Sequence, residues 1–243
     1  SSGKGQGAQI SQRTRNNLII SQVTIAALLI FVNLNLFLNA FQTVTAPSTL
    51  AMENRWQLRL TAKNPTELGR ESLRHALDEM KQSFAQHPAV AQVSQSLSPL
   101  IWSGTFAFTM VDDNQSFATQ AKFVDENYFS LLEQPMLEGD NFTREQIRDR
   151  ANVVIVNEEL ARQITANGDV VGKQMQFWGR NHTIIGVVKG AKKPNVANIP
   201  PMRYTPDRGE RPVYIVHFKP GKALSKQAVL DFIHQENRHF TLF

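Results

Sequence analysis

Apolar and polar positions change period several times along this chain, and each change marks an element. Between residues 16 and 52 no charged side chain occurs. Residues 18–41 are apolar and, at about 1.5 Å per residue, long enough to cross a ~30 Å hydrocarbon layer as a helix. Pro47, Ser48 and Thr49 then read as a stalk or break. Trp56, Leu58 and Leu60 alternate with Gln57 and Arg59, as in a half-buried strand. Asn64-Pro65-Thr66-Glu67 is a helix start, with Asn64 as cap and Pro65 at the first helical position. Leu73, Leu77, Met80 and Phe84 follow at helical spacing and form one apolar stripe, which His87-Pro88 ends. Residues 90–97 return as a strand.

Residues 105–110 and 116–124 read as a hairpin around the polar cluster Asp112-Asp113-Asn114-Gln115. Asp125 is placed to cap a short helix carrying Tyr128, Phe129, Leu131 and Leu132, and Glu138-Gly139-Asp140 reads as a turn. The run 153–156 is β-branched and strand-like, Asn157 stands at a helix N-cap, and Glu158 and Glu159 favour the helix dipole. Leu160 and Ile164 give that helix its buried stripe, and Asn167-Gly168 suits its left-handed end. Met175 and Phe177 then alternate with glutamines, Gly179-Arg180-Asn181 makes a turn, and residues 183–188 return as a strand. Residues 213–218 are a strand, and 225–236 a helix with Val229, Phe232 and Ile233 inward. The units 55–97 and 213–236 are expected to pack as one sheet with two helices, which gives an α+β fold.

Length, 243 residues, suits one or two domains, and the absence of cysteine excludes a disulfide framework, a thiolate nucleophile and a Cys-based zinc site. The opening SSGKGQGAQ is a flexible tail or an expression scar. Charge orients the apolar span. Lys4, Arg13 and Arg15 precede it and no basic residue follows before Arg55, so the positive-inside rule places the N-terminus in the cytoplasm and the rest outside. A cleaved signal peptide is the competing reading, against which stands an apolar run longer than the usual 7–15 residues. Ser21, Gln22, Asn33, Asn35 and Asn39 lie within the span, and amides in lipid call for partners. Asn33 and Asn39 are therefore expected to face other helices.

Residues 189–212 hold five prolines and six basic residues against Asp207 and Glu210. Two readings stand: a solvated charged loop, or a docking surface through Lys192, Lys193, Arg203, Arg208 and Arg211. Nucleic acid fits poorly, because prolines interrupt the charges and no stacking aromatics interleave them. No catalytic or metal-binding constellation emerges. The run from Gly168 to Gln174 has one residue too few between its glycines for a phosphate loop and precedes a strand. His234 and His239 are five apart and off one helix face, and Asp112-Asp113 are adjacent acids in a turn. The sequons at Asn141 and Asn181 matter only in a eukaryotic secretory pathway.

Tyr128-Phe129, Leu132, Leu137, Gly139 and Phe142, then residues 153–157, Gly172-Lys173 and residues 185–188 together resemble the MacB-like periplasmic core domain of FtsX-like ABC transporter permeases. Asp140 departs from that pattern, in which Arg often follows the glycine. The resemblance implies a porter-like subdomain, residues 52–103 and 212–243, with a sabre-like one, 104–190, inserted. Residues 191–211 then form a Pro-rich basic loop, 16–44 the first transmembrane helix and stalk, and 1–15 a cytoplasmic tail. It further implies a bacterial inner-membrane protein that is no enzyme and holds no cofactor. It works as a homodimer or paired permease with a cytoplasmic ABC ATPase, and it moves an exported substrate or a periplasmic partner protein. A single-pass anchored sensor or ligand-binding module is the alternative, and "HFTLF" at the end reads as the approach to a further span.

Overall fold

The structure, a computed structural model, describes residues 11–45, 49–62, 69–101, 104–192, 198–207 and 209–242. The chain divides into two units, Ser1–Ala46 and Pro47–Phe243. In the first, α1 (Gln12–Thr45) is one continuous helix. Residues 12–41 of it are long and apolar enough to cross a membrane. Its polar side chains fold back on their own helix: Ser21 Oγ donates to the Leu18 carbonyl at 2.9 Å and Thr24 Oγ1 to Ile20 at 2.8 Å. Asn33 Nδ2 donates to Leu29 at 2.7 Å and Asn35 Nδ2 to Phe31 at 2.8 Å. Such back-bonding satisfies part of each amide without a second helix.

The second unit holds two sheets. The smaller one has four strands in the order β11 (Phe240–Leu242), β1 (Arg55–Ala62), β10 (Val213–Phe218), β2 (Val90–Ser94). Each neighbouring pair is antiparallel, so β1 and β2 run parallel with β10 between them. The intervening α2 (Arg70–Gln86) packs Leu77, Met80 and Phe84 on this sheet, and α6 (Lys226–Glu236) adds Val229 and Ile233. Ser225 caps α6 by accepting the Ala228 N–H. Both helices are amphipathic stripes that have found one sheet face, as their spacing required.

The larger sheet has seven strands in the order β5 (Met136–Gly139), β8 (Arg180–Val188), β6 (Val153–Asn157), β9 (Met202–Pro206), β4 (Ser116–Val124), β3 (Thr105–Met110), β7 (Gln174–Phe177), and β7 also pairs with β8. One core joins Val124, Ile155, Met202 and Tyr204 to α3 (Tyr128–Leu131), beside which lies α4 (Arg144–Arg148). Another packs Phe108, Val154, Val156 and Met175 against Leu160 of α5 (Glu158–Ile164). Asn157 caps α5 as its position predicts, accepting the Leu160 N–H.

Several expectations change. The basic loop is not continuous, because residues 202–206 form β9 between β6 and β4. Met202 and Tyr204 point to one core while Arg203 lies on the other face, a period of two that the flanking prolines masked. Residues 136–139 are an edge strand that takes in Glu138 and Gly139 of the expected turn, and residues 240–242 pair with β1. The β7–β8 turn is Trp178-Gly179, one residue early, with φ 52° and 70°. Thr165, extended, ends α5, and Gly168 (φ 82°) serves the following turn. Asn127 occupies the N-cap of α3 in place of Asp125. The helix start at Asn64 and the stalk residues Pro47 and Ser48 lie outside the described residues.

Candidate functional site

The sheets meet at Asp125, which follows β4 and is 2 % exposed. Its Oδ1 accepts from Ser94 Oγ at 2.6 Å and from the Asn127 N–H at 3.1 Å; its Oδ2 accepts from the Gln95 N–H at 2.7 Å. Lys81 Nζ, on α2, stands 2.7 Å from Asp125 Oδ2 and 2.9 Å from Glu126 Oε1. Burial lowers the Lys81 pKa, but the two carboxylates outweigh it and leave the ammonium above its ordinary range. The first sheet is thus tied to the second through a hydrogen-bonded ion pair.

This junction floors a cleft of about 650 Å³, lined from α2 by Arg74, His75 and Asp78, from α4 by Arg144 and Arg148, and beyond β9 by Asp207. Asp207 is 3 % exposed. One carboxylate oxygen accepts the Gly209 N–H at 3.0 Å, and the other has no hydrogen-bond partner. Burial pushes its pKa up to about 6, with Arg211 opposing the rise. At the mouth, Arg144 of α4 and Asp78 of α2 approach to 3.9 Å, an exposed pair of small energetic weight.

Arg203, expected on a docking surface, is instead fully enclosed. Its guanidinium lies 3.7 Å from the Phe177 ring centroid, 4.9 Å from Trp178 and 5.8 Å from Phe106. His182 stacks on the far side of Phe177 at 3.7 Å, Phe123 stacks on Trp178 at 5.7 Å, and Arg211 covers Phe123 at 4.4 Å. Two arginines thus lie against one run of stacked rings. None of the three Arg203 nitrogens has a hydrogen-bond partner, so ring faces alone compensate the charge, and burial lowers its pKa to about 10. Arg203→Met is expected to leave stability within about 1 kcal/mol of wild type or raise it, whereas Arg203→Ala, which empties the layer, costs about 2–4 kcal/mol. Urea midpoints decide: a methionine variant that loses as much as the alanine variant would give the charge a stabilising role.

Of the other basic candidates, Lys193 and Arg208 lie outside the described residues. Lys192 is half-buried, its backbone N–H donating to Thr49 Oγ1 at 2.9 Å and its carbonyl accepting the Thr49 N–H. Sequence reading missed Lys81, Asp125 and Asp207 as a set. Lys81 follows the buried Met80 and stands four residues from Leu77, so it flanks the apolar stripe, and that was the available signal. Asp207 gives none, being one acid among basic neighbours. Among the described residues, no three His, Cys, Asp or Glu gather as a metal ion would need.

The MacB-like periplasmic core domain family model matches residues 18–227. The Macrolide export ATP-binding/permease protein MacB of Mannheimia succiniciproducens is 32% identical over 109 residues, which is 44% of this chain and 15% of that protein. The chain thus spans a small part of that relative's length. The periplasmic region of MacB from Actinobacillus actinomycetemcomitans superposes with a TM-score of 0.51 at 15% identity, over 79% of this chain and 88% of that one. The extracellular domain of the noncanonic ABC-type transporter YknZ from Gram-positive bacteria gives 0.48 at 13% identity, over 77% of this chain and 100% of that one. The family match begins inside α1, covers the seven-stranded sheet and β1, β2 and β10 of the smaller one, and stops at the start of α6, short of β11. This chain belongs to the MacB-like periplasmic core domain family.

Proposed function

We propose that the chain supplies a membrane helix and the periplasmic domain of an ABC transporter permease. It couples ATP hydrolysis in a separate cytoplasmic subunit or domain to the movement of a substrate or partner protein on the periplasmic side. One observation carries the reading: the family match starts at residue 18, within the apolar helix, and continues through the two-sheet domain, so span and domain belong to one sequence unit. The four-stranded sheet with α2 and α6 then corresponds to the porter-like subdomain and the seven-stranded sheet to the sabre-like one, the latter reaching to residue 206. The permease works as a pair of chains in the bacterial inner membrane, N-terminus inside. Asn33 and Asn39 pack on neighbouring helices. Lys192, Lys193, Arg208 and Arg211 contribute to a partner surface.

This chain contains no cysteine, so Lys222→Cys, at an exposed turn before α6, is its single thiol, placed in a full permease whose other cysteines are replaced by serine. In cells with a permeabilised outer membrane, a membrane-impermeant maleimide is expected to label it without inner-membrane lysis. In nanodiscs holding the full permease with its ATPase, a spin label at the same site is expected to change its spectrum on ATP addition. Labelling only after inner-membrane lysis, or a spectrum indifferent to nucleotide, overturns the reading.

A further inference from the structure

Ala46, Pro47 and Ser48 separate the end of α1 from Thr49, a stretch that reaches at most about 14 Å when fully extended. Sequence order would hand a displacement of α1 to β1 and the four-stranded sheet. The chain docks elsewhere first. The Thr49 N–H donates to the Lys192 carbonyl at 3.2 Å, and Thr49 Oγ1 accepts the Lys192 N–H at 2.9 Å. Leu50, 6 % exposed, joins the core that holds Phe129, Leu132, Val188 and Ala191. The Ala51 N–H donates to the Leu132 carbonyl at 3.1 Å. The Arg55 side chain, 4 % exposed, donates through Nε to the Leu131 carbonyl at 2.6 Å and pairs with Glu133 at 2.8 Å. The receiving segment is itself fixed: Gln134 Nε2 donates to the Lys189 carbonyl at 2.7 Å, and the Gly190 N–H donates to Glu158 at 3.2 Å.

We propose that residues 49–55 form a strap that passes displacement of α1 to the segment 189–192 and the seven-stranded sheet. Coupling travels through packed side chains and hydrogen bonds that are ordered at both ends, and the strap has both: a buried leucine between two backbone attachments, and a buried guanidinium at its far end. The four-stranded sheet is moved second, from Arg55 at the start of β1 and through the Asp125 junction. Lys192, one residue of the partner surface, stands at the point of attachment, so the strap sets where that end of the surface lies. The inference rests on the transporter reading and gives its motion a route.

The test uses the full permease with its ATPase in nanodiscs. Hydrogen exchange reads the attachment. Leu50→Ala is expected to speed exchange of the 189–192 amides about tenfold or more, while those of β10 stay within about twofold of wild type. Thr49→Val keeps the side chain's shape and removes only the acceptor for the Lys192 N–H, and is expected to give a smaller rise in the same segment. Ile233→Ala, which empties a buried site under α6, is expected to leave 189–192 within about twofold. Spin labels at Asp113→Cys, on the exposed β3–β4 turn, read transmission in the cysteine-free background. The distance between the two labelled chains is expected to shift on ATP addition, and Leu50→Ala to lose about half of that shift or more while ATPase activity persists. Unchanged exchange at 189–192 in either strap variant, an equal rise in Ile233→Ala, or a full shift in Leu50→Ala each overturns the strap alone. No ATP response at Asp113 or Lys222 with Leu50 in place overturns the transporter reading and the route with it.

Discussion

Asp125→Ala is expected to destabilise the two-sheet domain by about 3–5 kcal/mol, the cost of breaking a buried ion pair from one side. Four donors lose their acceptor at once: Ser94 Oγ and the Gln95 N–H at the end of β2, the Asn127 N–H before α3, and Lys81 on α2. Lys81 then keeps only Glu126, a half-buried carboxylate. For a domain of this size the melting temperature is expected to fall by roughly 6–20 °C. Lys81→Met is expected to cost only about 1–2 kcal/mol, because Asp125 retains three neutral donors and the methionine replaces the aliphatic stem. An Asp125→Ala loss below about 1 kcal/mol, or equal losses for both variants, would remove the carboxylate from the centre of the junction.

The same pair gives a pH dependence of definite sign. Lys81 has a folded pKa above its ordinary 10.5, so its contribution is complete below that value and disappears as pH rises through the folded pKa. Alkaline unfolding is therefore expected to move to lower pH in Asp125→Ala. Asp207 has the same sign in a lower window, stability falling as pH rises from about 3.8 to about 6. Its carboxyl is pushed up to about 6, so ionisation between its ordinary 3.8 and about 6 destabilises the domain.

What could be read from the sequence were elements whose own stripe decides their place. The α2 stripe Leu77, Met80, Phe84 and the β6–α5 unit capped by Asn157 carry their partners' requirements in their spacing. What escaped were elements decided by another segment. Strand β9 is four buried residues, 202–205, bounded by prolines, and β4 and β6 on either side make it a strand. Arg203 counted as a surface charge because its compensation comes from Phe106, Phe177 and Trp178, far away in sequence. Asp125 looked like a helix cap because the competing donors come from β2 and α2. Long-range partners have no local signature.

The glycines of the β5–β8 edge allow conformation and space to be separated. Gly139 and Gly186 stand opposite each other in the ladder, and the Asp140 N–H donates to the Ile185 carbonyl at 2.9 Å, so the two backbones approach closely. Gly139 has φ 68°, and a Cβ there would drive into the Ile185 carbonyl oxygen. At Gly186 a Cβ would lie 2.6 Å from the Asp140 carbonyl oxygen and 2.7 Å from Met136 Cε, without a left-handed φ; the methionine can swing away but the backbone oxygen cannot. Gly168 is the converse, with φ 82° and nothing within 4 Å. Gly168→Ala is thus expected to cost about 1 kcal/mol for the left-handed conformation alone. Gly186→Ala is expected to cost about 2 kcal/mol for space alone, and Gly139→Ala about 3–4 kcal/mol for both. Hydrogen exchange should locate the damage: in Gly139→Ala the Asp140 and Lys189 amides, which bond to Ile185 and Pro135, lose protection before the central strands do. If Gly139→Ala and Gly168→Ala unfold at the same urea concentration, close backbone approach is not what keeps glycine at position 139.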